Sequence, residues 1–252
     1  MGELEGRVAI VTGAGRGILR ASALALAGAG AAVMAIDIDE AGATQTAAVI
    51  GGAGGHALGR HCDVTNRAQV DAAVGAAVSA FGRVDIVVNG ATVFRMHPFE
   101  EQTEEDLMQA WRVNVLGTFN CMQAAFPHLR AQGYGKIVNF GSGAATSGAP
   151  GQASYAAAKE GVRGLTRTAA REWGRHGIRV NSLIPMAVTP GFENAVRELG
   201  RDLGAMASAV PLGRLGDPAR DVAPVVVFLA SAASDFMTGR TLFADGGQAG
   251  YL

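Results

Sequence analysis

The chain has 252 residues, 49% of them hydrophobic and 17% charged, with a formal net charge of −1. That composition excludes a disordered chain, and scattered arginines on a near-neutral background leave no electrostatic footprint for nucleic acid. No uncharged apolar run approaches the ~18 residues of a membrane span, and the opening MGELEGRVAI is too acidic for a signal peptide, so a cytoplasmic protein off the membrane is expected.

Short Val- and Ile-rich runs alternate with Ala-rich segments of helical period. Strands are expected at Val8–Thr12, Ala32–Asp37, Gly55–Asp63, Val84–Asn89, Lys136–Phe140, Arg179–Ile184 and Thr241–Ala244. Both faces of most of them are apolar, which suits a buried parallel sheet. Helices are expected near 17–29, 39–50, 67–80, 103–131, 153–176 and 218–231. This repetition implies an α/β fold with a doubly wound parallel sheet and helices on both faces. GGAGG at 51–55 is an ordinary surface loop, and with no repeat or break in composition residues 1–252 read as a single domain. The least regular stretch, 186–216, is expected to form a small substrate loop or lid.

Gly13, Gly15 and Gly17 follow the first strand and open the first helix. Glycine lets the backbone turn sharply there and approach a pyrophosphate, whose charge the helix N-terminus favours. A tight turn that binds nothing would look the same. Asp37, 20 residues after Gly17 at the end of the second strand, tips the balance. A carboxylate there accepts from ribose hydroxyls and repels a 2′-phosphate, which favours NAD over NADP. Arg16, a guanidinium beside the turn, is the counter-argument.

Tyr155 and Lys159 in SYAAAKEG stand four apart on one helix face. A phenol, with a pKa near ~10, is a poor base at neutral pH, and a cation one turn away is expected to lower it. Cys62 and Cys121 form neither a metal-ligand cluster nor a disulfide framework, so no metal is expected and buried, inert thiols are.

Taken in order, TGAGRGI at 12–18, CDVT at 62–65, NGA at 89–91, NVLGTF at 114–119, IVNFGS at 137–142, YAAAK at 155–159, IRVNSLIP at 178–185 and the ending PLGRLGDPARDVAPVVVFLAS…TGRTLFADGG resemble the short-chain dehydrogenase/reductase family. The resemblance runs from about residue 4 to 247 and implies a Rossmann-type fold and a nicotinamide cofactor. By it Tyr155 is the general acid/base, Ser142 hydrogen-bonds the reacting oxygen, Lys159 tunes Tyr155 and holds the nicotinamide ribose, and Asn114 keeps a water linking Lys159 to solvent. Gly13, Arg16, Gly17, Ile18 and Asp37 belong to the cofactor turn. Asp63 and Val64 would contact adenine, Asn89 would line the ribose region, and Val188 and Thr189 would approach the nicotinamide amide. Taken singly, Ser142, Asn114 and Asp63 read equally well as loop, packing and capping residues.

The resemblance implies an NAD(H)-dependent enzyme for a secondary alcohol/ketone pair and, through small residues on helices 103–131 and 153–176, a homotetramer or a dimer. An NADPH-dependent 3-oxoacyl-thioester reductase, or a nucleotide sensor of the same fold, are the alternatives. Four residues depart from the family pattern. Leu19 replaces its third glycine and is expected to push the helix outward or find a pocket, weakening NAD binding. Gly90 and Thr92 replace Asn and Gly of NNAG, with a looser central sheet expected. Met186 replaces the glycine after Pro185, beside the expected nicotinamide. His97 reads as a solvated loop residue, and Phe94, Met96, Phe192 and Met206 as either an apolar pocket or ordinary packing. Trp111 and Trp173 read as packing or interface residues.

Overall fold

A computed structural model of the chain describes residues 2–198, 200 and 202–248. Seven strands, β1 (Val8–Thr12), β2 (Ala32–Asp37), β3 (Ala57–His61), β4 (Ile86–Asn89), β5 (Gly135–Phe140), β6 (Ile178–Pro185) and β7 (Thr241–Ala244), form one sheet in the order β3-β2-β1-β4-β5-β6-β7. Every neighbouring pair is parallel. The order reverses between β1 and β4, and the crevice at the carboxyl ends of those two strands is where a doubly wound sheet takes its ligand.

Alternation along each strand feeds two cores. Ile10, Met34, Ile36, Val87, Ile137 and Val180 point to the side covered by α3 (Arg67–Phe81), α5 (Gly117–Gln132) and α7 (Ala153–Trp173). Val11, Val33, Ala35, Val88, Val138 and Leu183 point to the side covered by α1 (Gly17–Gly28), α2 (Glu40–Gly52) and α10 (Ala223–Ala230). Local chemistry sets the helix ends. Asp39 and Asn66 cap α2 and α3 by accepting from Gly42 N and Gln69 N. Cys62 and Cys121 are free and buried, and burial pushes the Cys62 thiol up to about 11 and the Cys121 thiol higher still.

The helix expected over 103–131 is continuous but not uniform. A capping box between Thr103 and Asp106 starts α4 (Glu104–Ala110), a π-helical turn spans Trp111–Leu116, and α5 follows. A second π-helical turn, Pro218–Val222, leads into α10. The loop after β5 holds a helix that periodicity could not reveal, α6 (Gly143–Ser147), only five residues long. The irregular 186–216 stretch contains α8 (Pro190–Glu198) and α9 (Leu203–Ser208); Leu199 and Arg201 within it lie outside the described residues.

Two departures from the family pattern meet in space. Leu19, half-buried on α1, packs into the core, and a Cβ on Gly90 would run into its Cγ and Cδ1 atoms. Leu19 therefore finds its pocket where the residue after β4 has no side chain. The backbone at Gly90 is tied to β1, where Thr12 Oγ1 accepts from Gly90 N at 2.9 Å and from Ala91 N at 3.0 Å. Gly90→Ala is expected to cost about 1–3 kcal/mol by overpacking. The same change on a Leu19→Gly background should cost measurably less, so that the double-mutant cycle in urea melts shows strong coupling. Additive losses would contradict the packing described.

Candidate active site

The cofactor turn is built as its glycines require. Gly13 and Gly17 have φ of 72° and 59°, the left-handed region that favours glycine. A Cβ on Gly13 would lie 3.1 Å from the backbone of Ala91, and one on Gly15 would lie 3.0 Å from Asp37 Oδ2. Arg16 is the exposed N-cap of α1 and no side chain caps that helix, which leaves its first N–H groups for a ligand. Asp37 accepts from Gly15 N and from Asp39 N, each at 2.9 Å, so its carboxylate is held against the turn by both oxygens. Ile18 packs into the core beside Leu19. These features fit a dinucleotide: an open helix terminus for the pyrophosphate and a fixed carboxylate for ribose hydroxyls.

Of the residues expected around the adenine, Asp63 accepts from Thr65 N at 2.9 Å, the loop-capping arrangement. Val64 is buried, its carbonyl accepting from Asn120 Nδ2. Asn89 lies beside Thr12 in the sheet register and donates through Nδ2 to Asn139 Oδ1, while its own Oδ1 is buried without a hydrogen-bond partner. On the far side of the crevice, Val188 N donates to Gly216 O, and the Thr189 methyl would lie 3.3 Å from a Cβ on Gly17. The start of the 186–216 lobe thus abuts the glycine turn.

Ser142 and the Tyr155–Lys159 pair converge at the carboxyl edge of the sheet. Ser142 leaves β5 as the N-cap of α6 and accepts from Ala144 N at 3.2 Å, so its one proton remains to be given elsewhere. Tyr155, on the first turns of α7, interacts through its hydroxyl with the Ser142 and Thr92 hydroxyls and packs its ring at 5.7 Å from that of Phe94. Lys159 is buried, with Nζ 5.6 Å from the Tyr155 ring centroid. It donates to Phe140 O at 3.0 Å, leaving two of its three protons for other partners.

The expected electrostatics are corrected in one respect. Lys159 does not bring the phenol below its ordinary range here. Burial pushes Tyr155 up, and the Ser142 and Thr92 interactions offset that only in part. Burial also pulls Lys159 down to about 8. Tyr155 therefore holds its proton at neutral pH, the form that donates to a carbonyl, while Lys159 titrates close enough to neutrality to exchange one.

Asn114 sits in the π-helical turn and is 1% exposed. Its Nδ2 donates to Val93 O at 3.0 Å and Ala110 O at 2.9 Å, and its Oδ1 accepts from Thr92 Oγ1 at 2.6 Å. Its side-chain hydrogen bonds thus tie the π-helical turn to Thr92 and Val93 of the loop after β4. Sequence reasoning had Thr92 only as a departure from the pattern.

Phe94 and Met96 border Tyr155 and Gly151, whereas Phe192 and Met206 lie in α8 and α9. His97 is exposed and engages through its backbone, donating from N to Gly151 O and accepting at O from Gln102 Nε2. Trp173 stacks on Phe126 at 4.6 Å and lines a cleft of about 420 Å³ between α5 and α7, away from this site. Trp111 packs beside Gly161 of α7 with 44% of its surface exposed. No group of three or more metal-ligating side chains occurs among the described residues, and no helix there is long and apolar enough to cross a membrane.

The chain resembles known proteins along nearly its whole length. A family model described as "Enoyl-(Acyl carrier protein) reductase" matches residues 13–249. The chain is 42% identical to the short-chain reductase protein NovJ of Streptomyces niveus, over 96% of this chain and 93% of that one. Among solved structures it superposes on levodione reductase with a TM-score of 0.93 at 32% identity, covering 98% of each chain. It superposes on a gluconate 5-dehydrogenase from Burkholderia cenocepacia J2315, in complex with NADP and tartrate, with a TM-score of 0.91 at 38% identity, covering 99% of this chain and 97% of that one. An open glycine turn, a serine and tyrosine meeting at one sheet edge, and likeness along nearly the whole chain have one common explanation: this is a member of the short-chain dehydrogenase/reductase family, a Rossmann-fold oxidoreductase.

Proposed function

We propose that the protein is an NAD(H)-dependent oxidoreductase that moves a hydride between nicotinamide and a secondary alcohol/ketone pair. The observation that carries this reading is the meeting of Ser142, Tyr155 and Lys159 at the sheet edge that also holds the glycine turn and Asp37. The nicotinamide, when bound, supplies or accepts the hydride. Ser142 gives its free proton to the carbonyl oxygen and so stabilises the charge that develops there. Tyr155 gives that oxygen its proton in reduction and takes it back in oxidation. Lys159, with two uncommitted protons, holds a ribose hydroxyl and passes a proton onward.

Asp37 supports NAD, because a carboxylate fixed by two backbone amides cannot turn away from a 2′-phosphate. The exposed Arg16 supports a second reading, an NADPH-dependent reductase of 3-oxoacyl thioesters. Initial rates with a panel of ketones and alcohols, run in parallel with NADH/NAD and NADPH/NADP, separate the two. NAD(H) is expected to be preferred, and Asp37→Ser to shrink that preference by about tenfold or more, the loss of one good ribose contact together with one repulsion. A wild-type preference for NADPH would overturn the role given to Asp37. Exposed Leu107, Leu116 and Phe119 on α4, the π-helical turn and α5 support a homo-oligomer, and the reading places the enzyme in the cytoplasm.

A further inference from the structure

Helix α7 opens without a cap of its own. Its N-cap residue, Gln152, makes no side-chain bond to the first turn. Ser154 in that turn is buried, and a buried N–H needs a partner. The partner comes from 52 residues upstream, where Gln102 Oε1 accepts from Ser154 N at 2.8 Å. The other end of the same amide donates from Nε2 to His97 O at 3.1 Å and to Gly151 O at 3.2 Å. Proton counting fixes its orientation, because Ser154 N can only give and the two carbonyls can only take. Gln102 is half-buried, between a 3-10 turn (Phe99–Glu101) and the Thr103 cap of α4. The turn it caps is the one that carries Tyr155.

The amide also joins two loops. One runs from β4 to His97 and carries Phe94, whose ring lies 5.7 Å from that of Tyr155. The other links α6 to α7 and turns through Gly148 and Gly151, at φ of 64° and 80°. Glycines leave this second loop free to swing, so its position is set by the bonds at its end. Those bonds are the two from Gln102 Nε2 and Oε1 and a third from His97 N to Gly151 O at 3.0 Å. Met96 packs against the same point, 3.1 Å from where a Cβ on Gly151 would lie.

We propose that Gln102 is a positioning residue for Tyr155, whose single amide caps the turn bearing the phenol and clasps to it the loop bearing Phe94. This rests on Tyr155 being the acid/base of the reaction proposed above. Proton transfer needs the phenol within hydrogen-bond reach of the substrate oxygen, and a misplacement of about 1 Å can cost ~10²-fold. Without the amide, a buried N–H in the first turn goes bare and that turn frays. Tyr155, the third residue of α7, moves with it. An amide does not titrate, so its loss should scale the rate without moving the pH limbs.

Two substitutions divide the work of the amide. Gln102→Ala removes it. Gln102→Glu keeps an oxygen for Ser154 N, and its charge suits a helix N-terminus, but it has no proton for His97 O or Gly151 O. Gln102→Ala is expected to lower kcat for ketone reduction about tenfold or more, to raise KM and the solvent isotope effect on kcat, and to leave cofactor affinity unchanged. Gln102→Glu should recover most of kcat and the wild-type isotope effect, with KM still raised because the Phe94 loop is no longer clasped. Amide hydrogen exchange over the first turn of α7 should quicken in Gln102→Ala and slow again in Gln102→Glu. Wild-type kcat in the alanine variant, or a glutamate variant as slow as the alanine one, would overturn the proposal. So would a loss of rate matched by an equal loss of cofactor binding, the mark of a protein that has merely unfolded. Should wild type reduce no ketone with either nicotinamide, the functional reading fails, while the exchange rates still decide whether Gln102 holds the turn of Tyr155.

Discussion

Tyr155→Phe is expected to lower kcat by about two to four orders of magnitude, the range for loss of a positioned acid/base, while the variant still folds and binds the dinucleotide. The change removes one oxygen and leaves the ring packed against Phe94. Binding should persist because the glycine turn, the open N-terminus of α1 and Asp37 lie on other elements. Loss of turnover with retained binding, read by single-turnover kinetics and by titration of cofactor fluorescence, identifies a lost proton transfer. Substantial turnover without the phenol would refute the assigned chemistry. The pH dependence has a defined sign. Because burial raises the Tyr155 pKa, the wild-type phenol stays protonated through neutrality. Ketone reduction should therefore hold its rate through neutral pH and fall on the alkaline side, whereas alcohol oxidation should rise there.

Asp85→Ala is expected to be the most damaging single change to stability, costing about 3–5 kcal/mol, the range for breaking a buried charge network. Asp85 precedes β4 at the amino end of the sheet and is fully buried. Its carboxylate takes Arg7 Nη1 at 2.9 Å, Arg83 Nη2 at 2.6 Å and Nε at 2.8 Å, and Val8 N at 3.0 Å. Arg7 also lies 3.9 Å over the Tyr134 ring, so the same cluster ties β1, β4 and β5 together. Alanine would strand a buried backbone N–H and set two guanidinium groups against each other without their anion. Both arginines are partly exposed, which lets water relieve some of that loss and sets the lower end of the range. Thermal and urea melts measure the cost. Activity per folded molecule should be unchanged, because the site occupies the opposite edge of a parallel sheet.

What the sequence could show divides along a physical line. The strands were legible because a parallel sheet buries both faces, so that AIVT in β1 or IVV in β4 leaves an unbroken apolar run. Tyr155 and Lys159 were legible because helical spacing alone puts them on one face. The partners of Asn114 were not, since they depend on a π-helical turn, and nothing in WRVNVL marks a turn wider by one residue than its neighbours. Thr92 was noticed as an anomaly, but its bond to Asn114 exists only once loop and turn are brought together. The raised phenol was not legible, because spacing gives the proximity of a lysine and says nothing of burial, which here pushes the phenol up. The short α6 and the helices of the 186–216 lobe escaped for a plainer reason: five to nine residues carry too few turns for a period to stand out.

Leu19 and Gly90 carry a consequence for how this sequence can change. Each is an eccentric residue beside its family pattern, and a repair guided by relatives would restore either one first. Restoring a side chain at 90 while Leu19 remains forces an overlap, and removing Leu19 while Gly90 remains opens a hole beside the sheet. Neither single step leads downhill toward the common pair. The two positions behave as a ratchet, and a library that samples them one at a time would score both family residues as harmful when only their separation is.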